Sequence, residues 1–170
     1  MDNTEKKRDA FPFIWLAAAA GLTAADQITK VVAANALPDG RMIPLIPGVL
    51  ELTLVHNTGA AFGLGQGGQW LFVALAFLIS AVLVSDLIKR TGRRTSGRSL
   101  LRLTGETMVL AGAVGNAIDR IRLGWVIDFI YVRVIDFPVF NVADICVTVG
   151  CVLMILGLFT ERDTVYGDHC

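Results

Sequence analysis

The chain has 170 residues, of which 54% are hydrophobic and only 18% charged, with a mean hydropathy of +0.62. Soluble domains carry about 25% charged residues, so this composition points to a small integral membrane protein. Fifteen Lys and Arg balance fifteen Asp and Glu; with no net field to attract nucleic acid, no such partner is expected. Three cysteines do not make a disulfide framework, and no Cys or His pair has zinc-ligand spacing.

The first apolar stretch runs from Phe11 to about Ala36. Lys6, Lys7 and Arg8 ahead of Phe13 to Ala20 resemble the start of a secretory signal peptide, with Ala17 to Ala25 as a cleavage region. The pattern nevertheless continues through Val31, Val32 and Leu37, which favours a retained span. Three further stretches follow at 70–88, 100–121 and 142–160, each long enough for a hydrocarbon core of about 30 Å.

The predicted fold is therefore a membrane protein, mainly α, with four transmembrane helices in one domain. Lys89, Arg90, Arg93, Arg94, Arg98 and Arg102 crowd the second loop. The positive-inside rule then puts that loop and both termini in the cytoplasm. The first and third loops, about 37–69 and 122–141, face outward and carry strand patterns. In the first, Leu50, Leu52 and Leu54 alternate with Glu51, Thr53 and Val55 up to a Gly-rich turn at 59–68. In the third, β-branched and aromatic residues fill 125–135 until Pro138 stops the run. A small β-rich subdomain on the outer surface of the membrane follows.

Ionisable groups inside a span cost several kcal/mol, which makes each a functional candidate. At about 1.5 Å per residue, Asp26 lies roughly 22 Å along the first span, and Asn116 falls at a similar height on the third. Asp119 and Arg120 sit one turn further out, and Asp144 lies just inside the last span. Gly112, Asn116, Asp119 and Arg120 share one helical face, and Ala111 with Gly115 forms a small-xxx-small pair. Plainer readings stand beside these. Asp26 and Lys30 have i,i+4 spacing for mutual neutralisation, Asp119 with Arg120 has that of an ion pair anchoring a helix end, and Asn141 with Asp144 that of a cap. Asp86 and Glu106, toward the cytoplasmic ends, are expected to be solvated or snorkelling.

Capping does not explain a second carboxylate, Asp128, in the adjacent outer loop. Two aspartates close together in a partly desolvated site share a proton and split their apparent pKa values. One then deprotonates water while the other polarises a scissile carbonyl. Other signals are weak. Gly63, Gly65 and Gly68 spell a dinucleotide-type motif without its βαβ context, His56 has no neighbouring nucleophile motif, and Cys146 and Cys151 read as packing residues.

Five blocks in order resemble the lipoprotein signal peptidase (signal peptidase II) family along nearly the whole chain. They are Asp26-Gln27-Ile28-Thr29-Lys30, Asn57-Thr58-Gly59-Ala60-Ala61-Phe62, the run from Ala111 to Arg120, Val126-Ile127-Asp128-Phe129, and Phe140-Asn141-Val142-Ala143-Asp144. The resemblance implies an intramembrane aspartic endopeptidase of the bacterial inner membrane. It would remove signal peptides from diacylglyceryl-modified prolipoproteins just before the lipidated cysteine, with no metal or organic cofactor. Asp128 and Asp144 match the catalytic pair. Asn57, Asn116, Arg120 and Asn141 match substrate-contacting positions, and Asp26, Lys30 and Asp119 supporting ones, with Gly59 and Ala143 in the same blocks.

Arg120 is then expected to hold a backbone carbonyl or a lipid ester oxygen. Expected partners are lipid-modified precursors and membrane lipids, and the expected state is a monomer. Ala111 where the family usually has Gly, and Ile145 where a hydroxyl is common, depart from the pattern and leave the pair intact. A proton-coupled transporter would carry polar groups through both membrane halves, and an assembly subunit would leave the Asp and Asn residues unused.

Overall fold

A computed structural model describes residues 11–37, 41–59, 68–89 and 97–167. Four long helices, α1 (Phe11–Ala36), α2 (Gln69–Lys89), α3 (Gly97–Leu123) and α4 (Val142–Gly167), form a bundle. Their bounds lie close to the four predicted stretches, although α4 runs past the predicted end. Strands β1 (Ile43–Ile46), β2 (Leu50–Asn57) and β3 (Val126–Val132) make an antiparallel sheet in the order β1-β2-β3. Most of the Gly-rich turn at 59–68, including Gly63 and Gly65, lies outside the described residues.

Among the described residues, α2 and 142–159 of α4 are long and apolar enough to cross a membrane. The other two helices are more polar because they bring charge into the protein interior. Asp26 and Lys30 of α1 are each 1% exposed, and so is Glu106 of α3.

Helix α3 is the hub, packing most extensively on α4 and also on α1 and α2. Glycines allow the close α3–α4 approach. A Cβ on Gly105 would lie 2.5 Å from the Gly150 carbonyl, and one on Gly112 would collide with the carbonyl of Ala143. Ala111, where an extra methyl was noted, is 1% exposed in the core formed by Ala19, Leu83, Leu87, Leu103, Val109 and Leu110.

A second core joins the end of α1 to the sheet through Ala33, Leu37 and Phe129. Helix α3 ends at Gly124 (φ +86°), whose left-handed backbone turns the chain into β3. The alternation in β2 is real, but its polar members are the more buried: Glu51 and Thr53 are buried while Leu50, Leu52 and Leu54 are half-buried. The Glu51 carboxylate is matched there by Arg133, 2.7 Å away. A bulge between Leu52 and Val55 shifts the register so that Val55 pairs with Asp128. Asn57, two residues on, then shares the Asp128 face.

Candidate active site

The site is assembled where α4 begins. Asn141 and Asp144 close a reciprocal cap: the Asp144 N–H donates to Asn141 Oδ1 at 3.0 Å and the Asn141 N–H to Asp144 Oδ2 at 3.1 Å. The cap fixes the Asp144 carboxylate at the first turn of α4, and Asn116 Nδ2 donates to its Oδ1 at 2.8 Å.

Beneath lies a saturated cation site. Lys30 Nζ has three protons and three acceptors: Asp26 Oδ2 at 2.9 Å, Asp119 Oδ2 at 2.8 Å and Asn116 Oδ1 at 2.9 Å. The remaining oxygens are used too. Asp26 Oδ1 accepts the N–H of Ala143 at 2.9 Å, and Asp119 accepts from Gln27 Nε2 at 3.0 Å and the N–H of Ile127 at 3.2 Å. These bonds tie α1, α3, β3 and α4 to one point. A Cβ on Gly115 would lie 2.6 Å from Asp26 Oδ2, so the small residue makes room for the carboxylate.

Asp128 projects from β3 with both oxygens occupied by amides, Asn57 Nδ2 at 2.9 Å and Asn141 Nδ2 at 2.7 Å. Burial pushes its carboxyl up to about 6, and the charge of Asp144 adds to the rise, while the donors of Asn57 and Asn141 oppose it. Asp128 and Asp144 line one cavity of about 850 Å³, together with Asn57, Asn116 and Arg120. Arg120 Nη2 donates to the carbonyl of Gly59 at 2.9 Å, and its guanidinium lies 5.0 Å from the centre of the Phe72 ring. Its Nε is buried without a hydrogen-bond partner among the described residues.

All eleven residues singled out in the sequence thus meet around this point, Gly59 and Ala143 through their backbones. One pairing and one burial differ from expectation. Asp119 does not pair with Arg120: it faces inward to Lys30, and Arg120 points to Gly59 and the cavity. Consecutive residues on a helix diverge by about 100°, so one bonds inside the bundle and the other beside it.

Glu106 is not solvated, but 1% exposed and bonded to Arg102 Nε at 2.8 Å, with Asp86 at 3.5 Å from the same guanidinium. Gln27 received no role from the sequence. Its place beside Asp26 in a polar run was the available signal.

Residues 18–160 match the family model described as Signal peptidase (SPase) II. The lipoprotein signal peptidase of Symbiobacterium thermophilum is 47% identical over 78% of this chain and 86% of its own length. That of Brevibacillus brevis is 41% identical over 84% and 93% respectively. A solved bacterial membrane enzyme, determined by the in meso method at 2.3 Å, superposes with a TM-score of 0.79 at 32% identity, covering 89% of this chain and 90% of its own. This chain belongs to the signal peptidase II family, peptidases that cleave signal peptides from prolipoproteins.

Proposed function

We propose that the chain is an intramembrane aspartic endopeptidase that cuts diacylglyceryl-modified prolipoproteins immediately before the lipidated cysteine, with Asp128 and Asp144 as the catalytic pair. The observation that carries this reading is that two carboxylates on different elements line one cavity, each held by amide donors.

Asp128, whose carboxyl holds its proton up to about pH 6, is the acid. Asp144, held by Asn116 and the Asn141 N–H, is the base. Water between them loses a proton to Asp144 as its oxygen attacks the scissile carbonyl, and Asp128 gives its proton to the carbonyl oxygen. On collapse the C–N bond breaks, the leaving nitrogen takes the proton from Asp144, and a proton returns to Asp128. Arg120 Nε, without a partner among the described residues, holds a backbone carbonyl of the substrate.

All four helices span the bacterial inner membrane as a monomer, with both termini cytoplasmic and the cavity at the periplasmic face. Lipid-bound substrate enters laterally there, and water arrives from outside. The saturated Lys30 centre supports this reading, since it gives α1 and α3 a neutralised interior compatible with lipid on their outer surfaces. Purified protein in detergent with lipidated and unlipidated precursors tests the proposal by gel mobility. Cleavage of the lipidated form alone is expected, and its absence overturns the reading.

A further inference from the structure

The cavity does not stop at the two aspartates. It continues along α4, where Ile145, Thr148 and Val149 form one wall and the segment from Phe137 to Phe140 the other. Phe137 and Phe140 meet edge to face at 5.8 Å and make the second wall apolar. Ile145 and Val149 are each 41% exposed, so the groove opens sideways toward what α4 faces.

One polar side chain lies in this part. Thr23, Thr29 and Thr107 give their hydroxyls to backbone carbonyls. Thr148 is exposed and lines the cavity, and its hydroxyl makes no hydrogen bond among the described residues. Its hydroxyl is thus an uncommitted donor in an apolar groove. Four residues after Asp144, it sits on the same helix face and about 6 Å further along the axis.

We infer that Thr148 is a substrate-positioning residue whose hydroxyl donates to an ester carbonyl of the diacylglyceryl group, with the attached acyl chain lying along Ile145 and Val149. The inference rests on the proposed function. Its geometry is that of the substrate: from the scissile nitrogen through the cysteine thioether and glyceryl carbons, an ester oxygen is about eight bonds away. At about 1.5 Å per bond and with the chain folded, that reaches roughly 6 to 10 Å. Helical signal peptide offers the groove less, because its carbonyls are already bonded internally and its diameter is about 10 Å.

The test uses the full chain in detergent with two synthetic lipopeptides, identical except that one carries ester-linked and the other ether-linked chains. With the ester substrate, Thr148→Val is expected to lower kcat/KM by about three- to tenfold, through KM, the scale of one neutral hydrogen bond. Thr148→Ser restores it. With the ether substrate, wild type and Thr148→Val converge. Equal turnover of the ester substrate by wild type and Thr148→Val, or the same loss on both substrates, overturns the inference. Failure of the wild type to cut either lipopeptide overturns the proposed function instead.

Discussion

Helix α3 takes part in two charge clusters, each built around a buried carboxylate and separated by roughly 20 Å between Glu106 and Asp119 at 1.5 Å per residue. In the outer one, Lys30 uses all three protons, and Asn116, Asn141 and Asn57 distribute amide donors to Asp144 and Asp128, which face a cavity. In the inner one, Arg102 joins Asp86 and Glu106, Glu106 Oε2 has no partner among the described residues, and no member lines that cavity. The difference separates carboxylates that face a cavity from a charge cluster that does not. Neutral amide donors hold Asp128 and Asp144 toward the cavity, whereas the Arg102 guanidinium ties Glu106 and Asp86 to each other.

The sharpest way to break this contrast is at the pair itself. Asp128→Asn and Asp144→Asn are each expected to lower kcat on a lipidated precursor by about a thousandfold, because each removes half of the acid-base machinery. Circular dichroism should be unchanged. Activity within tenfold of wild type in either variant would remove the chemical distinction between the clusters.

Lys30→Met comes next. It leaves Asp26 and Asp119 facing each other without their cation, and removing one partner of a buried ionic group costs about 3–5 kcal/mol. The thermal midpoint in detergent should drop sharply, and the further change Asp119→Asn should recover part of the loss by deleting a stranded charge. An unchanged midpoint would show that Lys30 does not organise the outer cluster.

How much of this was legible in the sequence follows from the range of each interaction. The Asp26–Lys30 pair and the Asn141–Asp144 cap span four and three residues, so helical spacing alone announced them. Four apolar stretches predicted four helices to within a few residues except at the end of α4, because hydropathy is local. The Lys30–Asp119 pair was invisible because it joins separate helices, and helix rotation decides whether Asp119 or Arg120 points inward. The same holds for Glu106: its position suggested an end near water, but its burial depends on the packing of α2 and α4. In β2 the period was readable, while the face that became buried depended on Arg133 arriving from beyond β3.

The amide donors make a finer prediction. With its carboxyl raised to about 6, Asp128 keeps its proton below that pH and loses it above, so kcat/KM should fall as pH rises through about 6. Asn57 stabilises the ionised form, and Asn57→Ala should therefore move the alkaline midpoint upward, by up to about one pH unit. A pH profile of both proteins reads the shift independently of any loss in rate. A downward move would reverse the assigned role of Asp128.

The smallest effect is expected at the inner cluster. Glu106→Gln keeps a carbonyl oxygen to accept from Arg102 Nε and replaces the partnerless Oε2 with a neutral amide nitrogen. Losing a hydrogen bond to an anion is offset by no longer burying an incompletely bonded carboxylate, so the thermal midpoint should move by the equivalent of about 1 kcal/mol or less. Turnover of the lipidated precursor should match wild type, because Glu106 lies about 20 Å along α3 from Asp119 and does not line the cavity. If Glu106→Gln lowered kcat as Asp128→Asn does, the two clusters would be coupled along α3, and facing the cavity would no longer be what distinguishes them.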